Sequence, residues 1–172
     1  KGNSESERFK KAAWYTDHCL RDYFESASKE SWYDKTVFVL VADHGHRLPL
    51  GRDYLDPGAR KIPVLIWSKL LLPKYKNSMI NLTASQHDLS STLLHGLGMD
   101  AKEFSWSNNM LDTARSHFAY LNQDVAVTWI TPLDTSVIPV SPEIGVRKTP
   151  KSASEPDARA YLQQLYKSFL DL

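Results

Sequence analysis

The segment Thr36-Val37-Phe38-Val39-Leu40-Val41-Ala42 is apolar without alternation and runs directly into Asp43-His44-Gly45-His46-Arg47. An apolar run that does not alternate is the pattern of a strand buried on both faces, so it predicts a layered α/β sheet. In open α/β sheets, ligands sit beyond the carboxyl ends of strands, which is where Asp43 and His44 fall. A carboxylate oxygen and an imidazole nitrogen on adjacent residues could both turn toward one divalent cation, and Gly45 would let the backbone turn sharply there. The same pair has a plainer reading: Asp43 caps the following turn and His44 is a hydrogen-bonded loop residue.

The flanking pattern supports the α/β assignment. From Glu5 to Lys29, Phe9, Ala13, Leu20, Phe24 and Ala27 recur at helical spacing, with Ala12, Cys19 and Tyr23 widening the stripe. Ser31 to Lys35 breaks the pattern before the strand, and Gly45 to Arg60 reads as a long loop after it. Ile62-Pro63-Val64-Leu65-Ile66-Trp67 predicts a second strand, with its proline near the start, where a missing N–H costs least. Ser85 and Asp88 form a capping-box-like start for a helix over Gln86 to His95, stopped by Gly96 and Gly98. Phe118 to Leu121 and Val125 to Thr131, separated by Asn122-Gln123-Asp124, predict a hairpin, and Val137 to Val140 a third short strand. Ser141 to Glu155 is rich in Pro, Ser and Lys and predicts a surface connection. It precedes a final helix capped by Ser154 and Asp157 and docked through Ala158, Leu162, Leu165 and Phe169.

The expected class is therefore α/β, with a central, mostly parallel sheet flanked by helices and a small antiparallel β element. No repeat, low-complexity tract or composition shift marks a boundary, so residues 1–172 are expected to form a single unit. Lys and Arg number 21 against 20 Asp and Glu, a balance that offers no electrostatic case for a nucleic-acid partner or an anionic membrane surface. No apolar run reaches the roughly 20 residues a membrane-spanning helix requires, so membrane attachment is expected only through segments upstream of Lys1. One cysteine, Cys19, cannot form an internal disulfide and says nothing of redox compartment.

The Thr36 to Gly45 segment resembles the late metal-binding strand of the sulfatase and lipoteichoic-acid-synthase branch of the alkaline-phosphatase superfamily. The likeness extends to Tyr15-Thr16-Asp17, Ser31-Trp32-Tyr33-Asp34, Ile62-Pro63-Val64-Leu65-Ile66, Ser85-Gln86-His87-Asp88-Leu89 and the closing Ala158-Arg159-Ala160-Tyr161-Leu162-Gln163-Gln164-Leu165-Tyr166, in family order. The resemblance implies an alkaline-phosphatase-like C-terminal half of a catalytic domain. Its substrate would be a phosphate or sulfate ester, and its cofactor a divalent metal ion (Mn, Ca, Zn or Mg) with Asp43 and His44 among the ligands. It also implies that the nucleophile and the remaining ligands come from the rest of the catalytic domain, N-terminal to Lys1, so that this segment alone is inactive.

Within the branch, the leading expectation is a phosphoglycerol or phosphoethanolamine transferase on the extracytoplasmic face of a bacterial cell envelope. The alternatives are a true sulfatase, or a noncatalytic binding domain that keeps the fold. His46 and Arg47 are candidate substrate-binding residues: a guanidinium can hold an ester oxygen bidentately and an imidazole can protonate a leaving group. A solvated loop pair is the alternative for both.

Other chemistry-bearing residues receive structural readings. Arg60 and Lys61 immediately precede the second strand, where the resemblance implies a basic residue or histidine facing the substrate, but both read as surface charges. Asp17, on the stripe of the first helix, is expected to point inward and take a hydrogen-bond partner, and Cys19 to behave as a small buried hydrophobe. His87, Asp88 and His95 belong to helix capping and packing rather than to a metal site. The sequon Asn81-Leu82-Thr83 matters only in a eukaryotic secretory protein, and the resemblance points to bacteria.

Overall fold

Ser4 and Glu7 begin the first element by satisfying each other. The Glu7 N–H donates to Ser4 Oγ at 3.2 Å and the Ser4 N–H donates to Glu7 Oε2 at 2.8 Å, a capping box that starts α1, Glu5–Ala27. The structure, a computed structural model, describes residues 4–53, 56–140 and 152–171. These gather into two compact units, Lys1–Met79 and Ile80–Leu172.

In the first unit, β1 (Phe38–Val41) pairs with β2 (Val64–Trp67) through the register Phe38↔Trp67 to Val41↔Val64. The pairing is antiparallel, and so is every strand pair among the described residues, where a mostly parallel sheet was expected. The chain between β1 and β2 contains one described short 3₁₀ turn, Pro57–Ala59, and no crossover helix, so it folds back along the strand it left. The helices and small antiparallel sheets nonetheless keep the α/β class.

Phe38 and Trp67, paired at the first end of the hairpin, organise an aromatic cluster. Their ring centroids lie 5.5 Å apart, Phe24 of α1 meets them at 5.1 and 6.1 Å, and Tyr33 meets them at 5.3 and 4.9 Å. Such pairs each contribute about 0.5–1.5 kcal/mol beyond area burial. Buried Ser68 closes the same end, donating to the Thr36 carbonyl at 2.7 Å.

The opposite end of the hairpin is open. Val41, Val64 and Leu65 are 38%, 43% and 55% exposed, so these strands are not buried on both faces by the described residues. The α1 stripe behaves likewise: Phe9 and Phe24 are half-buried and Ala27 is buried, while the middle of the stripe is uncovered. Asp17 therefore faces solvent rather than a core partner, and Cys19 is exposed rather than buried. Periodicity assigned them to the stripe, but nothing in this unit covers that stretch.

The second unit opens with α2, Asp88–Gly96. Half the anticipated capping box forms: Asp88 Oδ2 accepts the Ser85 N–H at 2.9 Å, while Ser85 Oγ accepts the Tyr120 N–H instead. The other Asp88 oxygen accepts the Asn108 N–H at 2.8 Å, so this buried carboxylate is spent on backbone donors. Gly98, at φ +71°, ends the helix, with its own N–H on His95 and that of Met99 on Leu94, the paired carbonyl bonds of a Schellman stop.

The expected hairpin appears as β3 (Ala119–Asn122) and β4 (Ala126–Ile130), and β5 (Thr135–Pro139) completes a three-stranded sheet. Trp129, Ile138 and Ala158 form its core, with Phe118 stacked on Trp129 at 4.0 Å and Tyr161 of α3 (Glu155–Leu170) 5.2 Å from Trp129. Phe169 is 71% exposed and lies off the docking face, which Tyr161 supplies with Ala158, Leu162 and Leu165. Most of the predicted Ser141 to Glu155 connection lies outside the described residues.

Ser154, at the α3 N-cap, makes no cap bond and turns its hydroxyl to Asp134 Oδ1 at 2.7 Å. Ser152 and Thr131 also donate to the Asp134 carboxylate, tying the β4–β5 turn to the start of α3. These three hydroxyls, Ser152 first, lower the Asp134 pKa from 3.8 to about 2. A depressed carboxylate pKa stabilises the fold above its unfolded value and loses that contribution as pH falls through the folded one. Replacement of Asp134 by Asn is therefore expected to lower the melting temperature at pH 7. The gap to the parent protein should narrow between about pH 4 and pH 2, measured by circular dichroism.

Candidate functional site

Immediately past β1, Asp43 and His44 stand at the open end of the hairpin, and both are exposed. Asp43 Oδ1 accepts the His44 backbone N–H at 2.9 Å, as a turn-capping carboxylate does. His44 Nδ1 lies 2.8 Å from the Gly45 carbonyl oxygen. A carbonyl can only accept, so Nδ1 carries a proton, and in the neutral imidazole Nε2 presents its lone pair. That Nε2 is 3.5 Å from Asp43 Oδ2.

Two ligands each about 2.1 Å from a common ion at a tetrahedral angle would lie about 3.4 Å apart. The separation, the free lone pair and the backbone-anchored Nδ1 thus suit a hard-to-borderline divalent cation, with Gly45 supplying the outer-shell hydrogen bond that sets the tautomer. Among the described residues no group of three or more His, Cys, Asp or Glu side chains could hold a metal, so a site built on this pair would need ligands from elsewhere.

Gly45 matters for a reason other than the sharp turn anticipated. A Cβ built on it would lie 2.4 Å from the Ala59 carbonyl oxygen and 2.6 Å from the Arg60 Cα, both backbone atoms. The glycine is required because the chain leaving β1 and the chain entering β2 touch there.

His46 and Arg47 follow. The His46 ring stacks on Phe9 of α1, with centroids 4.8 Å apart and planes at 17°, and its Nδ1 accepts the Leu48 N–H at 3.0 Å. Neutral His46 therefore carries its proton on Nε2. Ser6 of the same helix donates to the Pro49 carbonyl at 3.3 Å, so α1 grips the loop at two points. Arg47 is exposed, and its carbonyl accepts the Arg52 N–H at 3.0 Å. The anchoring roles of Phe9 and Ser6 were missed from sequence, where a stripe residue and a polar first-turn serine carry no sign of a loop 43 residues away.

The other histidines belong to local structure. His95 Nδ1 lies 2.7 Å from the Ser91 carbonyl, one turn earlier in α2.

The architecture is that of an alkaline-phosphatase-like domain. A solved protein of the alkaline phosphatase superfamily from Vibrio parahaemolyticus matches 98% of this chain and 43% of its own, with a TM-score of 0.69 and 24% identity. The sulfatase family model matches residues 5–99, which include α1, the β1–β2 hairpin and α2, and the chain belongs to that family. Lipoteichoic acid synthase 2 of Bacillus subtilis (strain 168) is 24% identical over 121 residues, covering 63% of this chain and 18% of the relative. The chain thus spans less than a fifth of the length of that relative.

Replacing Gly45 with Ala drives a methyl group into backbone that cannot swing aside, and overpacking of this kind costs about 1–3 kcal/mol. The expected result is a lower melting temperature with β1 and β2 protected less against amide exchange. Equal stability of the variant would show that the contact is not required.

Proposed function

We propose that this chain is the C-terminal part of a metal-dependent sulfatase-family enzyme that acts on phosphate or sulfate esters. Its finer identity would be a phosphoglycerol or phosphoethanolamine transferase of the lipoteichoic-acid-synthase type. The observation that carries the reading is the Asp43–His44 pair: two ligand atoms 3.5 Å apart, one with its tautomer set by the Gly45 carbonyl, at the end of a strand. Family membership and the similarity to lipoteichoic acid synthase 2 support the reaction class.

In this reading Asp43 Oδ2 and His44 Nε2 contribute to a divalent metal site. A bound cation would neutralise charge on the ester oxygens and favour the ionised nucleophile. Arg47 would hold a nonbridging oxygen, and His46, held by Phe9 with its N–H on Nε2, would be oriented to donate a hydrogen bond to an ester oxygen. The nucleophile and remaining ligands would come from a further part of the same catalytic domain, to which both units described here belong. The isolated segment would then be inactive.

No helix among the described residues is long and apolar enough to cross a membrane. The proposed site of action, the extracytoplasmic face of a bacterial envelope, rests on the lipoteichoic acid synthase relative.

The test uses the intact protein. Asp43→Ala should remove most of the bound divalent metal, measured by mass spectrometry of the purified protein, and lower turnover by at least about a hundredfold, the upper end of what lost second-shell support costs. Arg47→Ala should raise KM with a smaller change in kcat. Unchanged metal content and turnover in Asp43→Ala would overturn the assignment and favour a noncatalytic domain.

A further inference from the structure

The near-neutral balance of the whole chain conceals a local excess of positive charge. Residues 57–87 carry Arg60, Lys61, Lys69, Lys74 and Lys76 and no Asp or Glu. Three of these cations fall in the stretch after β2, where they alternate with apolar residues: Lys69-Leu70-Leu71-Leu72-Pro73-Lys74-Tyr75-Lys76-Asn77-Ser78-Met79. Leu70, Leu72 and Met79 are 61%, 59% and 88% exposed, and Lys74 and Lys76 are exposed among them.

The stretch is fixed to the hairpin at its start. Buried Ser68, which holds the Thr36 carbonyl, accepts the Leu70 N–H at 3.1 Å, and Lys69 pairs with Asp34 at 2.7 Å. Local turns then satisfy its backbone. The Tyr75 N–H donates to the Leu72 carbonyl at 2.9 Å across the 3₁₀ turn Pro73–Tyr75, and Ser78 Oγ donates to the Tyr75 carbonyl at 2.9 Å. The Lys74 ammonium lies over the Tyr75 ring, 4.7 Å from its centroid. Among the described residues neither Lys74 nor Lys76 makes an ion pair.

The lysines decide what kind of cover these leucines suit. A protein core closing over them would have to take the Lys74 and Lys76 ammonium groups out of water, which is costly for an unpaired charge. A bilayer surface makes no such demand: apolar side chains reach the acyl boundary while lysine stems snorkel and leave their charges hydrated among phosphates. We infer that residues 69–79 form a docking surface for an anionic phospholipid bilayer. Leu70, Leu72 and Met79 enter the headgroup boundary, and Lys74 and Lys76 meet the lipid phosphates. The contact is interfacial, since no helix among the described residues is long and apolar enough to cross a membrane. It requires neither the Asp43–His44 pair nor an ester substrate, so its failure would leave the proposed function standing.

In the experiment the intact protein carries a polarity-sensitive dye on Met79→Cys, in a Cys19→Ser background because Cys19 is exposed. Lys29→Cys, at an exposed position elsewhere in the unit, carries the same dye as a control. Each protein is titrated with vesicles of phosphatidylcholine alone or mixed with phosphatidylserine, an anionic lipid that the proposed reaction does not use. The dye at Met79 is expected to shift to the blue on the anionic vesicles, and the dye at Lys29 to stay unchanged. Adding Lys74→Gln/Lys76→Gln should weaken partitioning at least about tenfold, since each lysine beside an anionic surface contributes about fivefold. Leu70→Ser/Leu72→Ser should weaken it by about tenfold or more, with the melting temperature confirming that each variant folds. No shift at Met79, an equal shift at Lys29, or a lysine variant that partitions within about twofold of its parent would overturn the bilayer surface. Unchanged partitioning in the leucine variant would mark a site for soluble polyanions and overturn it as well.

Discussion

The antiparallel register of β1 and β2 is the constraint on which the first unit depends. At one end it pairs Phe38 with Trp67, creating the aromatic cluster that captures Phe24 and Tyr33. At the other end the same register brings Gly45 against Ala59 and Arg60. The aromatic packing and the candidate site thus lie at opposite ends of one short ribbon. A slip of one residue would break both, since it would turn every side chain to the other face and carry the glycine away from the backbone it must admit. α1 bridges the two ends, with Phe24 in the aromatic cluster and Phe9 under His46.

Much of this was legible in the sequence, and the misses share a cause. Element positions follow from local patterns: the Ser4–Glu7 box, the apolar run before Asp43 and the Gly98 stop each act within a few residues. Strand direction does not. Apolar runs such as Thr36 to Ala42 and Ile62 to Trp67 state that two strands exist, but whether the second returns antiparallel depends on the path of the intervening loop. Burial fails for the same reason at Asp17, Cys19 and Phe169, because helical periodicity says which residues share a face and not what lies against it. The Asp43–His44 pair was legible as a candidate because the strand and both residues are contiguous in sequence. Phe9 and Ser6 were not, because their relation to the loop after β1 is created by folding.

Val41, Val64 and Leu65 are exposed at the end of the hairpin that carries Asp43 and His44, and Trp14, Tyr15 and Tyr23 on α1. Burying a side chain of this size stabilises a fold by about 1.5–3 kcal/mol, so exposed apolar side chains beside a candidate site are costly unless something covers them. On the proposed reading, the part of the catalytic domain that brings the nucleophile would also cover these residues, so that completing the core and completing the active site would be one event.

That coupling bears on metal affinity. Two ligands on a solvent-exposed turn hold an ion weakly, because the cation keeps most of its water and the side chains must be ordered on binding. On the proposed reading Asp43 and His44 would reduce the second cost in advance, because the His44 N–H fixes one carboxylate oxygen and the Gly45 carbonyl fixes the imidazole. What they would still need is the further ligands that displace water. An ordered pair that is insufficient alone would bind strongly only when a second ligand set arrives on a surface that also buries Val41, Val64 and Leu65. In such an arrangement, hydrophobic burial would supply free energy that assembles the metal site, and the bound cation would in turn hold the two surfaces together.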